Sequence, residues 1–238
     1  MKTKLTSFIL LTCFGFAFNA MAQDPDSAPV PLQTESTVAA MRPGAFKINK
    51  DWLPQNELTY KASLISGTIK SDDGTLKIKY VTNDKKKTIT IISVAEGPNE
   101  KRTDTSVVNA ETFQMLYHSV SVPSKKSFRN FTRPDGPEDI YFDGENIGSV
   151  IALIPDEQMQ PVTIAVYDFN ERAKATFALM NVKDESLGGA GASDGTYIND
   201  VSAGKMHYRI ILNKNNRQIT RIEISRPDGT LAEYKLNK

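Results

Sequence analysis

Cysteine is almost absent from this 238-residue chain. The single one, Cys13, lies in an apolar stretch near the N-terminus. A mature chain starting beyond it can form no disulfide, no zinc–thiolate site and no cysteine nucleophile. Histidine is scarce as well. His118 and His207 are the only two, 89 residues apart, with no His-x-His or His-Glu-x-x-His pattern. A metal site needs three or four converging ligands. Both histidines fall on what reads as the polar face of an alternating strand, so both are expected to be solvated. The one Gly-x-Ser-x-Gly match, Gly191-Ala192-Ser193-Asp194-Gly195, falls in a Gly-rich stretch that reads as a linker, so it does not mark a nucleophile elbow. Carboxylate pairs such as Glu138-Asp139 and Asp184-Glu185 are plentiful, and two carboxyls roughly 5–10 Å apart suffice for a glycosidase. Yet Trp52 is the only tryptophan, where glycosidase sites usually carry several aromatics. A hydrolase is therefore the weakest of the readings, no catalytic residue is assigned, and no cofactor is called for. Basic excess is missing too, with 29 Lys and Arg against 28 Asp and Glu, so nothing points to nucleic acid.

What the chain does have is an address. Lys2 and Lys4 precede the apolar run Leu5 to Phe18, and Ala20-Met21-Ala22 forms a small-x-small exit. This is the pattern of a secretory signal peptide, residues 1–22, with cleavage expected between Ala22 and Gln23 and a periplasmic destination. Leu10-Leu11-Thr12-Cys13 faintly matches a lipidation box, but Thr12 is poor before the cysteine and the apolar run continues past it. Past the signal no apolar run of about 20 residues remains to span a membrane. Membrane contact is expected to be transient at most. The net charge is +1 for the whole chain and −1 once Lys2 and Lys4 are gone. The remaining length suits one large β-domain or two small ones, and a chain this size buries roughly 70% of its unfolded surface.

Residues 23–44 read as a Pro-rich flexible tether, from Gln23-Asp24-Pro25 through Pro29-Val30-Pro31 to a stop at Pro43-Gly44. Residues 45–238 read as a single antiparallel β-domain. Leu76, Ile78 and Tyr80 alternate with Lys77 and Lys79. Met206, Tyr208, Ile210 and Leu212 oppose Lys205, His207 and Arg209. Ile222 and Ile224 oppose Arg221 and Glu223. Period two with one dry face is a strand signature, and few windows offer helical spacing. Asp-Gly pairs at 73–74, 135–136, 143–144, 194–195 and 228–229 read as tight hairpin turns. The firmest expectation is a C-terminal meander of strands at 205–213, 217–226 and 230–236. Gly188 to Ser193 reads as a linker, since no following helix, Lys and Ser/Thr complete a phosphate loop. Asn83 to Lys87 reads as a hairpin turn with a charged, solvated rim, and the Asn130-Phe131-Thr132 sequon is discounted because the export signal is bacterial in type.

Two segments are apolar on both faces. In one, Phe113, Met115 and Tyr117 share a face, opposite Leu116, Val120 and Val122. In the other, Val162, Ile164 and Val166 oppose Ala165, Tyr167 and Phe169. Such strands are buried between layers or line an apolar cavity. On the cavity reading, Phe113, Met115, Tyr117, Tyr167 and Phe169 are the candidate ligand-binding residues.

Several stretches resemble one family of exported bacterial proteins, the domain of unknown function 3108. They are Leu58-Thr59-Tyr60 with Gly67, Ala110 to His118, Phe142-Asp143-Gly144, Leu153-Ile154-Pro155 with Val162 to Phe169, and the strand–turn–strand run Arg221 to Leu236. Asn56-Glu57 departs from the Gly-Glu usual there, as does the Gly-Ala insertion. The resemblance implies similarity to half-barrel carriers of lipids and lipoproteins in the periplasm, with an acyl chain on the concave face. It carries no catalytic residues. The expected fold is all-β, a curved antiparallel sheet, half-barrel or open barrel. The expected function is a non-enzymatic envelope protein holding a lipid or other apolar ligand. The alternative is a structural or protein-interaction module, with an envelope protein as partner and no small ligand.

Overall fold

Alternating apolar residues place strand after strand on one continuous, mostly antiparallel sheet. The computed structural model describes residues 40–45, 49–98, 100–125, 127–132, 141–154, 162–168, 173–185 and 196–237. The signal peptide, most of the tether, the Gly-rich loop and Phe169 lie outside them, as do the Asp-Gly pairs at 135–136 and 194–195. The strands are Leu58–Ser66 (β1), Ile69–Asn83 (β2), Thr88–Glu96 (β3), Lys101–Asn109 (β4), Met115–Val122 (β5), Ser127–Thr132 (β6), Phe142–Asp143 (β7), Val162–Asp168 (β8), Ala173–Glu185 (β9), Thr196–Ala203 (β10), Met206–Asn213 (β11), Ile219–Ser225 (β12) and Thr230–Leu236 (β13). Their order is β6-β5-β4-β3-β2-β1-β13-β12-β11-β10-β9-β8-β7. The β1–β13 pairing joins the two ends of the sequence into the middle of the sheet. The expected C-terminal meander is present as β11 to β13, and the whole is β-dominated, nearly closed and barrel-like. Among the described residues no helix is long and apolar enough to cross a membrane.

The inward faces form one core. It includes Tyr60, Leu76, Ile89, Ile91, Ile164, Ile210, Ile222 and Tyr234. At a generic ~25 cal/mol per Å2 of apolar area, burying each such side chain contributes about 1.5–3 kcal/mol.

The Asp-Gly pairs divide into three structural roles, which corrects their uniform reading as hairpins. Asp228-Gly229 does turn β12 into β13, with Gly229 N–H donating to Arg226 O and Gly229 at φ +79°. Asp73-Gly74 instead lies inside β2. There the pairing steps from Ala62–Gly74 to Ser63–Asp72, leaving Asp73 as the extra residue of a bulge. Gly74 sits at φ +100°, and a Cβ there would lie 1.9 Å from the Glu96 carbonyl oxygen. Asp143-Gly144 opens a 3-10 turn, Gly144–Asn146, whose Glu145 N–H donates to the Asp143 side chain. The Asn83–Lys87 segment is the exposed β2–β3 hairpin turn that its composition predicts.

A helix that the periodicity does not announce follows directly. Ile147–Leu153 (α1) is seven residues long, and every residue except Ala152 is buried. A helix apolar all round shows no 3.6-residue stripe and belongs inside a core. Here it lies across the concave face. Gly148 is the close-approach point, since a Cβ on it would stand 3.3 Å from Ile219 Cδ1. Tyr80 and Ser149 share a 2.8 Å hydroxyl–hydroxyl hydrogen bond. Arg217 donates to the carbonyls of Ala152 (3.2 Å) and Ile154 (2.7 Å), placing positive charge on the C-terminal dipole of α1. Its guanidinium also lies 5.2 Å from the centre of the Trp52 ring.

At the open side of the sheet, β7 runs parallel to β8, pairing Phe142–Val166 and Asp143–Tyr167. The Met115 N–H donates to Tyr141 O across the gap from β5. The segment from Phe142 to Ile154 therefore bridges the two ends of the sheet and then fills its interior. The last residues of the expected tether also join the fold. Met41 pairs in parallel with Ile164 on β8, donating to Thr163 O (2.6 Å) and accepting from Ala165 N–H (2.9 Å).

Candidate functional site

Strand β4 turns a polar row into the interior. Its pairing with β3 sets Arg102 beside Ala95 and Val108 beside Ile89, on the face of the buried Ile89, Ile91 and Ala95. Arg102, Asp104 and Ser106 thus point inward in succession, and all three are buried. On the next strand His118 lies directly opposite Ser106. From the other side, β7 and its 3-10 turn bring Asp143, Glu145 and Asn146. Seven polar side chains from four elements meet inside the barrel.

The cluster is tightly bonded. Arg102 grips Asp104 with two hydrogen bonds, 2.8 Å from Nε and 2.6 Å from Nη2. His118 Nδ1 lies 3.0 Å from Asp143 Oδ2, and its Nε2 is 3.6 Å from Asp104 Oδ1. Ser106 Oγ donates to Asp143 Oδ2 at 2.5 Å and lies 2.8 Å from His118 Nδ1. Asn146 Nδ2 donates to both Ser106 Oγ (2.7 Å) and Asp143 Oδ2 (2.9 Å). Glu145 stands further off, 3.8 Å from Arg102 Nη2.

Electrostatics follow from this geometry. Burial alone would lower the His118 pKa, but Asp143, Asp104 and Glu145 around it push it up to about 10. The imidazole is a cation at neutral pH. Burial works against the charged form of Asp143 as well, yet His118, Ser106 and Asn146 hold its pKa below the usual carboxylate value. Glu145 goes the other way. Burial, then the charges of Asp104 and Asp143, outweigh Arg102 and His118 and raise its pKa well above normal.

His118 is thus not the solvated strand residue expected from its alternation; it is 0% exposed. The rows of β4 and β5 put charged groups on the inner face, and only other charges make that tolerable. His207 is exposed, as expected.

Serine, histidine and aspartate in contact invite comparison with a hydrolytic triad, and the geometry differs from one. A triad puts the serine and the aspartate on opposite imidazole nitrogens. Here both contact Nδ1, the Ser106 proton points at a carboxylate, and the imidazolium has no free lone pair to take a proton. Ser106 and Asp143 are each only 1% exposed. Among the described residues, no group of three or more His, Cys, Asp or Glu side chains is arranged to hold a metal ion.

Of the five residues expected to bind a ligand, the structure describes four, and these do not share one face. Phe113 is not in a strand at all. It sits at φ +59° in the β4–β5 connection, buried in the core, with its N–H donating to Asn109 O. Met115 is buried on the inner face. Tyr117 is half-buried on the opposite face, because Leu116 is the extra residue where the pairing steps from Val108–Met115 to Val107–Tyr117. Tyr167 is half-buried on β8, and Phe169 lies outside the described residues.

Among the described residues, the gap beside α1, between Trp52, Leu58, Tyr80 and Ile219, has about 10 Å3, at the lower limit for a single water. The larger concavity, about 460 Å3, is an open polar groove on the outer face of β1, β2 and β13, lined by Lys61, Lys70, Glu233 and Lys235 among others. Both of its carboxylates are paired. Lys61 pairs with Asp72 at 3.2 Å, and Lys70 and Arg221 each pair with Glu233 at 2.5 Å.

The fold and cluster define a class: a nearly closed antiparallel barrel plugged by its own chain and pinned by buried charges. No family model and no curated protein matches the chain. Among solved structures, it is similar to a DUF1329 family protein from Desulfovibrio piger ATCC 29098. The identity is 11%, covering 76% of this chain and 84% of that one, with a TM-score of 0.32. A likeness at that level carries no argument about function.

The cluster was hidden from sequence reading because its members come from four separate elements. One signal was present. Arg102, Asp104 and Ser106 recur at period two in a strand that is polar on both faces, which no half-buried strand should be.

Proposed function

We propose that the chain is an exported, non-enzymatic module of the bacterial cell envelope that acts through its outer surface on a protein partner. On this reading its concave face is closed by its own helix, and no lipid occupies it. The observation that carries the reading is the burial of Phe142 to Ile154 across that face, with no more than a water-sized gap beside α1. The signal pattern in residues 1–22 and the resemblance to the domain of unknown function 3108 support the exported location. The enclosure of Ser106 and His118, together with the protonated state of the imidazole, supports the absence of hydrolysis.

Native mass spectrometry of the mature protein, purified from the periplasm, tests this reading. The expected spectrum is that of the bare chain, and a fluorescent fatty acid titrated at neutral pH should show no saturable binding. A co-purified lipid, or saturable uptake of the probe, would overturn it.

A further inference from the structure

The interior cluster contains three carboxyls, Asp104, Asp143 and Glu145, and two cations, Arg102 and His118. All five are buried. With every group ionised the cluster would carry one uncompensated negative charge away from water, at a cost of several kcal/mol. One proton removes that cost, and the distances say where it goes. Arg102 is committed to Asp104 by two short hydrogen bonds, and His118 to Asp143 by a direct contact. Glu145, at 3.8 Å from Arg102 Nη2, stands further from that guanidinium than Asp104 does at 2.6 Å. Arg102 and His118 favour a charge on it, and burial outweighs them. Asp104 on β4 and Asp143 on β7 repel a charge there. The phenol of Tyr208 on β11 feels the charges of Glu145, Asp168 and Arg226.

The members of the cluster are not held equally. Arg102, Asp104 and Ser106 belong to a nine-residue strand paired on both sides. Glu145 belongs to a segment whose strand β7 pairs with β8 over two residues and whose helix has seven. A charge created on Glu145 can be hydrated only by movement, and the weakly paired segment is the partner that can move.

We propose that Phe142–Ile154 is a releasable plug, that the Arg102–Asp104–His118–Asp143–Glu145 cluster is its latch, and that loss of the Glu145 proton opens it. Opening bares the apolar inner face, including Ile89, Ile91, Ile210 and Ile222, without unfolding the sheet.

Hydrogen–deuterium exchange of the mature full chain, from about pD 6 to about pD 9 and corrected for intrinsic rates, tests this. Protection of 142–154 should fall by up to roughly tenfold per pH unit between the ordinary carboxylate pKa that Glu145 regains on release and its raised native value, and level off above the latter. Strands β11–β13 should keep theirs. In Glu145→Gln, neutral at all pH, only the fall due to His118 losing Asp143 should remain, so the slope should be shallower than in the unsubstituted chain. The latch is refuted by pH-independent protection in the unsubstituted chain. Joint loss in plug and meander, or an unchanged slope in Glu145→Gln, also refutes it. If that variant does not fold, the unsubstituted series decides alone. A bare mass spectrum at neutral pH tests the closed state and this series tests the latch, so either can fail without the other.

Discussion

Asp143→Asn is the most informative single change in the cluster. The substitution keeps the shape and the Oδ1 that accepts from Glu145 N–H at 2.9 Å. It removes the charge facing His118 and puts an amide donor where Ser106, His118 and Asn146 all donate, at 2.5, 3.0 and 2.9 Å. No cavity forms, so the cost is electrostatic and hydrogen-bonding alone. Stranding one partner of a buried ion pair costs about 3–5 kcal/mol. The lower end applies if Glu145 surrenders its proton to rebalance the cluster. Against a total stability of about 5–15 kcal/mol, that is a large fraction. Urea unfolding followed by circular dichroism measures it as a fall in midpoint at constant slope. Glu111→Gln, which breaks the exposed Lys87–Glu111 pair at 3.2 Å, is the control and should stay within about 1 kcal/mol of the unsubstituted chain. If Asp143→Asn costs no more than Glu111→Gln, the claim that buried charges pin the plug is wrong.

Other consequences are equally direct. Gly74→Ala should cost about 3 kcal/mol or more in the same unfolding assay, because its Cβ meets the Glu96 carbonyl and its φ is positive. Gly67→Ala, at φ +57° with nothing within 4 Å, should cost only about 1–2 kcal/mol, and equal costs would contradict the bulge geometry. Arg217→Met should lose about 2–3 kcal/mol with its bonds to Ala152 and Ile154, and should shift the emission of Trp52. Unmoved emission at unchanged stability would dissociate Arg217 from the end of α1. Stability should fall on both sides of neutrality. The contribution of Asp143 is present above its unfolded value of 3.8 and disappears as pH drops through its lower native value. That of His118 is complete below 6.5 and is lost as pH rises towards about 10, while the raised Glu145 also makes rising pH unfavourable. A urea midpoint that is flat from acid to alkaline pH would contradict these assignments.

Strands were legible wherever one face is dry and the other wet, and the β11–β13 meander is the clearest case. Three features escaped for physical reasons. Helix α1 is apolar on every side, so burial erased the periodicity by which helices are recognised. The faces of β5 were misread because one extra residue, Leu116, inverts everything beyond it, separating Met115 from Tyr117. The Asp-Gly dipeptide serves hairpin, bulge and 3-10 turn alike, since each needs only a side chain that bonds locally and a residue tolerant of positive φ or close approach. The buried cluster was out of reach for a different reason. Its registers, above all Ser106 opposite His118, exist only once the strands are paired.

The central claim is that the chain's own helix occupies the concave face. The contact of Gly148 with Ile219 tests it most directly, since any Cβ at Gly148 would stand 3.3 Å from Ile219 Cδ1. In the mature protein with labelled isoleucine δ1-methyl groups at neutral pH, a strong nuclear Overhauser effect is predicted between the Ile219 methyl and the Gly148 α-protons. With β12 otherwise intact, its absence would mean that α1 does not lie on that face, and the account would fall.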